Sequence, residues 1–393
     1  MSFIYLDYAA TTPLSETVKN KLINYINNDN NYFFNSGSST YEDAEKIKDQ
    51  IETAREDIAK TLGVLNREIM FTSGATESNN LAIKGIAQAY SDKGKHIIAS
   101  KAEHKAVLDV CRYLETQGYD VTYLDVNSKG KVSILDLEKA ITKRTILVSL
   151  MAVNNELGTM NDLVKIGEIT KRNKVFFHVD AAQGYGKVNL DIKAMNIDLL
   201  SVSGHKIYAP KGIGFLYVRS KAPRVKLVKQ IHGGVQEFGM RAGTLPNYQI
   251  FALAEACKDI FSNKDVNYKR INKLRDIFLE QLKIIKNIKI NTDLQHSYPG
   301  ILNVTIKGVK AETLLAMLDG VCLSMGSACN SQAIEPSHVL RTIGLSADDA
   351  DSTIRVSFGL PTTQEEVIKA AELIKEKVNI LRVVSPFGDT DTI

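Results

Sequence analysis

The chain has 393 residues, 44% of them hydrophobic and 24% charged, with 25 Gly and 8 Pro, a balance that excludes collagen-like, low-complexity and largely disordered chains. Lys and Arg outnumber Asp and Glu by 49 to 45, a formal charge of +4. With no block of like charges, that small excess makes no case for nucleic acid or a membrane surface as a partner. No stretch approaches the ~18 consecutive apolar residues of a membrane span, and the first residues show no basic-then-apolar leader. The four cysteines lack Cys-x-x-Cys spacing and no His-x-x-x-His is present, so neither a disulfide framework nor a metal site is expected. A cytoplasmic enzyme of more than one domain is the expectation.

In chain order, residues 43–62 place Ile47, Ile51, Ala54, Ile58 and Leu62 on one stripe of a helix. Thr72-Ser73-Gly74-Ala75-Thr76-Glu77-Ser78 reads as a small-residue turn leading into an amphipathic helix over 79–89. Short apolar runs at 95–100, 145–151, 175–180 and 198–203 alternate with helical patterns, as buried parallel strands of an α/β sheet do. Residues 211–219 add a strand entered through a glycine turn. Past residue 265 the pattern changes. A helix carries Ile271, Leu274, Phe278, Leu282 and Ile285, strands are expected at 301–306, 321–324 and 353–358, and a last helix starts near Thr363 with Glu366 at capping-box spacing. The shift from βα units to a smaller α+β region puts a domain boundary near 258–266.

The polar residues with chemical potential follow the ends of the predicted strands, where ligands bind in open α/β sheets. His104 follows the run at 95–100, Asn155 the run at 145–151, Asp180 and Gln183 the run at 175–180, and Ser203, His205 and Lys206 the run at 198–203. Singly each has an ordinary reading: the Asp as a turn cap, the His as a half-buried structural residue, the Lys as a solvated loop residue. Their coincidence on one sheet edge points to a site. The turn around Ala75 and Thr76, opening a helix, offers N–H groups and a positive dipole end to a phosphate. A Walker motif and a dinucleotide fingerprint are both absent. A phosphate cradle, an acidic residue at a strand end and a lysine in a polar turn are the parts that hold pyridoxal phosphate, an electron sink bound to lysine as an imine. Cys111 and Cys257 lie in helical patterns and Cys322 in a predicted strand, where buried, inert thiols are expected. Cys329, between Gly326-Ser327-Ala328 and Asn330-Ser331, lies on a pliable run and is the candidate nucleophile.

These segments together resemble the cysteine desulfurases of the class V aminotransferase group. The resemblance is carried by Tyr5-Leu6-Asp7-Tyr8-Ala9-Ala10-Thr11-Thr12, residues 72–80, Glu103-His104, Val153-Asn154-Asn155-Glu156-Leu157-Gly158-Thr159 and Asp180-Ala181-Ala182-Gln183. Ser203-Gly204-His205-Lys206-Ile207-Tyr208, Pro210-Lys211-Gly212-Ile213-Gly214, Arg241-Ala242-Gly243-Thr244 and Gly326-Ser327-Ala328-Cys329 complete it, and the last is similar to the housekeeping branch that serves iron–sulfur assembly and tRNA thiolation.

The resemblance implies fold type I of the pyridoxal-phosphate transferases. A large, mostly parallel-sheet α/β domain would span 16–262, and a smaller α+β domain 263–393, joined by residues 1–15. Lys206 would bind the cofactor and shuttle the substrate Cα proton, Asp180 would pair with the ring nitrogen, Gln183 with the ring hydroxyl, and His104 would stack on the ring. Ala75, Thr76, Ser203 and His205 would hold the phosphate, with Thr244 reaching over from the second subunit of a homodimer. Asn155, itself near the cofactor, and Arg355 would grip the carboxylate of L-cysteine. Cys329 would take the sulfur as a persulfide, release alanine and serve an acceptor protein such as an iron–sulfur scaffold or a tRNA sulfurtransferase.

One segment departs from the family pattern: Asn35-Ser36-Gly37-Ser38-Ser39-Thr40-Tyr41 stands where Gly-Asn-Pro-Ser-Ser-x-His is usual, and it is expected near the mouth of the site. Competing readings are a selenocysteine lyase or small-molecule aminotransferase of the same group, and an idle subunit of the same fold. A transaminase has no use for a thiol at Cys329, and an idle subunit has no need of Lys206, Asp180 and His104.

Overall fold

The structure is a computed structural model that describes residues 3–325 and 337–384. A short strand β1 (Ile4–Tyr5) leads into helices α1 (Glu16–Asn27) and α2 (Glu42–Leu62). Strands and helices then alternate: β2 (Ile69–Thr72), α3 (Ala75–Ala89), β3 (His96–Ser100), α4 (Lys105–Thr116), β4 (Asp120–Leu124), α5 (Ile134–Ala140), β5 (Thr145–Met151), α6 (Leu163–Arg172), β6 (Phe176–Asp180), β7 (Leu199–Ser203) and β8 (Gly214–Val218). Next come α7 (Asn247–Ser262), α8 (Lys264–Leu282), β9 (Ile288–Ile290), β10 (Ile301–Ile306), α9 (Ala311–Met317), β11 (Val321–Cys322), β12 (Ser324–Met325), α10 (His338–Thr342), α11 (Ala347–Asp351), β13 (Thr353–Ser357) and α12 (Gln364–Val384). The expected division at 262/263 falls at the junction of α7 and α8.

One seven-stranded sheet has the order β2-β8-β7-β6-β5-β3-β4. From β7 to β4 neighbouring strands are parallel, whereas β8 is antiparallel to both β7 and β2. The expected α/β fold with a mostly parallel sheet is therefore present. The apolar runs are continuous because both faces are covered. Ile97, Leu147 and Leu199 pack with Leu81 and Ile86 of α3 and Val107 of α4, whereas Ile98, Val148 and Leu200 pack with Ile47 and Ile51 of α2 and Phe251 of α7. The strand directions place the C-terminal ends of β2, β3, β5, β6 and β7 on one edge, together with the start of β8 at Gly214.

A second, antiparallel sheet has the order β12-β13-β10-β9, and α8 packs on α12. The capping box at the start of α12 is formed: the Glu366 carboxylate accepts from the Thr363 amide at 2.7 Å and Thr363 Oγ1 accepts from the Glu366 amide at 3.1 Å. Ile285, expected in the preceding helix, lies beyond the end of α8. The strand expected over 321–324 is divided: β11 pairs with β1, and β12 with β13. Cys322 therefore lies on a two-residue strand whose alternate side chain is buried Val321, and it is exposed, which corrects the expectation of a buried thiol there. Cys111 and Cys257 are buried as expected. Among the described residues no helix is long and apolar enough to cross a membrane.

Between β8 and α7 the chain is pinned to α2 by a buried ion pair and to β2 by a backbone amide. Arg55 Nη1 and Nη2 donate to the two oxygens of Glu237 at 2.8 and 2.7 Å, and the Phe71 amide donates to the same carboxylate at 2.7 Å. Side-chain exposures of 3% and 0% make this pair costly to break, because one partner alone is a buried charge. Glu237→Ala should cost about 3–5 kcal/mol of stability in urea unfolding, with Arg55→Met recovering part of it in the double variant. A loss below about 1 kcal/mol would show that Arg55 finds water instead.

Candidate active site

A cavity of about 600 Å³ opens on the sheet edge where the strands end. Its walls include Ala75, Thr76, His104, Asn155, Asp180, Gln183, Ser203, His205, Lys206 and Arg355. Ten of the expected site residues thus share one space, although they come from segments as far apart as 75 and 355. Thr244 is exposed and does not line this cavity, and Cys329 lies outside the described residues. None of residues 35–41 lines it either; Tyr41 is exposed, with its hydroxyl 3.0 Å from Ser38 Oγ.

The first wall is the start of α3. The helix begins at Ala75, four residues before the expected start, so Thr76 belongs to its first turn and not to a preceding loop. The small polar residues that read as a turn are accommodated because Gly74, at φ 143°, redirects the chain straight out of β2. A Cβ at Gly74 would lie 3.4 Å from Ser203 Oγ, and one at Gly214 would meet Val202 O at 2.3 Å and Gly74 Cα at 2.7 Å. The two glycines let the helix start approach the ends of β7 and β8. The amides of Ala75, Thr76 and Glu77 come too early in the helix to have an intrahelical acceptor.

Asp180 ends β6 and is buried. Its Oδ2 accepts from Asn79 Nδ2 at 2.7 Å and its Oδ1 from the Ala182 amide at 2.9 Å, so each oxygen is held by its own donor. Asn79 carries no role in the sequence reading, because a helix placed at 79–89 hid that Thr76 and Asn79 are one turn apart. Two residues before Asp180, His178 is held between Ser149 Oγ at 2.8 Å and Ser201 Oγ at 2.9 Å. Burial pulls it down to about 4, so it is a neutral, satisfied core histidine.

Lys206 sits in the turn after β7, and Nζ donates to the carbonyls of Ala9, at 2.6 Å, and Ala10. Gln183 Nε2 donates to the same Ala9 oxygen at 2.7 Å. The neighbouring His205 is 3.0 Å from Thr11 Oγ1. Burial, followed by the charges of Lys206, Lys211 and Lys187, pulls His205 down to about 4. The N-terminal segment thus closes over the lysine turn. His104 caps α4, its Nδ1 accepting from the Ala106 amide at 3.1 Å; the neutral ring therefore carries its proton on Nε2. At the far side, Arg355 donates through Nη1 to Asn155 O at 3.0 Å and through Nη2 to Asp7 at 2.7 Å and Ser324 Oγ at 3.0 Å, while buried Nε has no partner among the described residues.

Two buried carboxyls beside expected residues were given no role by the sequence reading. Glu103 accepts from Ser100 Oγ at 2.7 Å, and burial pushes it up to about 8. Glu156 accepts from Ser337 Oγ; burial pushes it up to about 7, against the pull of Ser337, Arg355 and His104. The available signal was a charged residue directly beyond a buried strand, adjacent to His104 in one case and Asn155 in the other.

The aminotransferase class-V family matches residues 4–369. The cysteine desulfurase IscS of Neisseria meningitidis serogroup C (strain 053442) is 49% identical over 386 residues, covering 98% of this chain and 95% of its own. The chain belongs to the cysteine desulfurase family. Among solved structures, a NifS-like protein superimposes with a TM-score of 0.89 at 34% identity, covering 96% of this chain and 100% of its own. SspA, solved in complex with cysteine, has a TM-score of 0.80 at 38% identity, covering 91% and 99%.

Pyridoxal phosphate is the cofactor of this family, and the residues present suit it. The cavity brings together an amine, a carboxylate with both oxygens directed, and a helix start joined by a hydroxyl and an imidazole. Gly74 lines the same cavity without a side chain, and its φ of 143° is one that residues with a Cβ rarely adopt.

The native state holds the Glu103 proton up to about pH 8, whereas an unfolded chain releases it near 4.5, so this group makes stability fall as pH rises through that window. Glu103→Gln cannot ionise. Its urea midpoints at the two ends of the window should differ less than those of the wild type; an unchanged difference would place the proton elsewhere.

Proposed function

We propose that the chain takes sulfur from L-cysteine, giving L-alanine and a persulfide on Cys329 that passes to an acceptor protein. The observation that carries this reading is the gathering of Lys206, Asp180, the start of α3 and Arg355 around one cavity. Pyridoxal phosphate, when bound, supplies the sink for charge developing at the substrate Cα.

Lys206 Nζ takes and returns the Cα proton, steadied by the carbonyls of Ala9 and Ala10. Asp180, oriented by Asn79, places its negative charge against the ring nitrogen. Gln183 donates to the ring hydroxyl. His104, with Nδ1 occupied by a backbone amide, would stack on the ring when the cofactor is bound. The amides of Ala75 and Thr76, with the side chains of Thr76, Ser203 and His205, hold the phosphate. Arg355 and Asn155 hold the substrate carboxylate. For that, Arg355 exchanges its contact with Asp7 for a planar, two-point grip on the incoming carboxylate.

Cys329 attacks the substrate sulfur as thiolate. The acceptor we propose is an iron–sulfur scaffold protein or a tRNA sulfurtransferase in the cytoplasm, supported by the run Gly326-Ser327-Ala328-Cys329. A homodimer with composite sites is supported by the exposed position of Thr244. It lies on the segment that Glu237 ties to α2 and β2 and that the Arg241–Glu77 ion pair, 2.9 Å, ties to α3.

Asp180→Asn should lower turnover on the order of a hundredfold, since charge aimed at a developing transition state is worth about 3 kcal/mol. A variant within a fewfold of wild type would make the carboxylate a turn cap only. Cys329→Ala should abolish both alanine formation and the bound persulfide while keeping cysteine-dependent spectral changes. Mass spectrometry after brief exposure to cysteine decides it; a sulfur adduct on Cys111, Cys257 or Cys322, or undiminished alanine, would defeat the reading.

A further inference from the structure

Lys187 is a buried amine in the wall behind the site, and the proposed chemistry gives it no part. One side of it faces a separate cavity of about 540 Å³ with Lys264, Asp265 and Tyr268. Its other side faces a narrow internal gap with Tyr8, Tyr208 and Tyr298. The Nζ lies 5.8 Å from the Tyr298 ring centre and donates to Gln183 Oε1 at 3.0 Å. The charge bearing on it is that of Lys206, while the neighbouring His205 is held neutral. Tyr8, Tyr208 and Tyr298 are kept protonated by burial, so they supply no countercharge. Burial, reinforced by Lys206, pulls Lys187 down to about 7. A methionine would fill the space without that desolvation cost, so packing alone does not account for an amine here.

What the amine does follows from donor and acceptor chemistry. Ala9 O can only accept, and it takes a hydrogen bond from Gln183 Nε2 at 2.7 Å as well as from Lys206 at 2.6 Å. A protonated Lys187 can only donate, and it donates to Gln183 Oε1. Turning the Gln183 amide over would set two acceptors against each other at Ala9 and, while Lys187 is protonated, two donors against each other at Lys187. The orientation is therefore decided from both ends.

We infer that Lys187 is a positioning residue that locks the Gln183 amide with its N–H edge on the cavity side, where it serves as donor to the cofactor's ring hydroxyl. The inference rests on the proposed role of Gln183 and adds the group that enforces it. A ring oxygen that loses this donor becomes more basic, and so does the group that shares its proton.

The test uses the holoenzyme and the absorption band of its bound cofactor, titrated against pH in the absence of cysteine. Gln183→Leu and Lys187→Met should each move the midpoint upward by on the order of one pH unit. Lys187→Arg, which still donates to Oε1, should stay near wild type and guards against a general loss of folding. In the Gln183→Leu background, Lys187→Met should add no further shift. An equal further shift there would mean that Lys187 acts by its charge alone and would overturn the inference. A shifted Gln183→Leu with an unshifted Lys187→Met would remove the role of Lys187 but leave that of Gln183. An unshifted Gln183→Leu would remove the role of Gln183 itself, and this inference with it.

Discussion

A strand covered by helices on both faces can carry polar side chains without partners only where it ends. That constraint shapes the whole molecule. The interiors of β3, β5, β6 and β7 are buried throughout or nearly so. The polar groups among them are paired inside the sheet, as His178 is with Ser149 and Ser201. The groups that remain directed outward stand at or just beyond the last residue of each strand. Because the strands are mostly parallel, those ends coincide, and a site is assembled from residues 75 to 206 without any segment being locally unusual. Even β8, which runs the other way, contributes by starting at that edge with a glycine small enough to admit the turn at Gly74.

Burial then sets the electrostatics. Around the cavity it drives ionisable groups toward their neutral forms: Glu103 and Glu156 upward, His178, His205 and Lys187 downward. Groups that the proposed chemistry needs charged are instead directed by hydrogen bonds. Asp180 has Asn79 and the Ala182 amide, and Arg355 has Asp7, Ser324 and Asn155 O. A charge held this way interacts more strongly with a ligand than it would in water, because the surroundings screen it less.

The site also depends on segments that the chain brings back from far away. Residues 9–12 close over the turn carrying Lys206, and Asp7 meets Arg355 across most of the sequence. Ser337, the first described residue after the segment containing Cys329, donates to Glu156 next to Asn155, and His338 contacts Glu103 O next to His104, Nε2 to oxygen 2.9 Å. The region following the candidate nucleophile is thereby fastened to the same two strand-end loops that supply His104 and Asn155.

Local pattern settled what local forces control. Apolar runs long enough to be buried marked four parallel strands within a residue of their ends, helical spacing marked α2, and the Thr363–Glu366 pair marked the start of α12. The placement of Lys206, Asp180, Gln183 and His104 at strand ends was legible because burial excludes them from the interiors. Where two segments had to meet, the sequence was silent. The start of α3 lies four residues before its sequence pattern, since Gly74 can open either a loop or a helix and only its packing against Ser203 and Gly214 decides. The strand around Cys322 was read as one, since its division depends on pairing with β1 and β13 at once. Asn79 and Glu156 acquire meaning only from Asp180 and Ser337, their partners in space. A hydrogen bond between residues a hundred positions apart leaves no periodicity in either segment, so such partnerships exist only once the chain has folded.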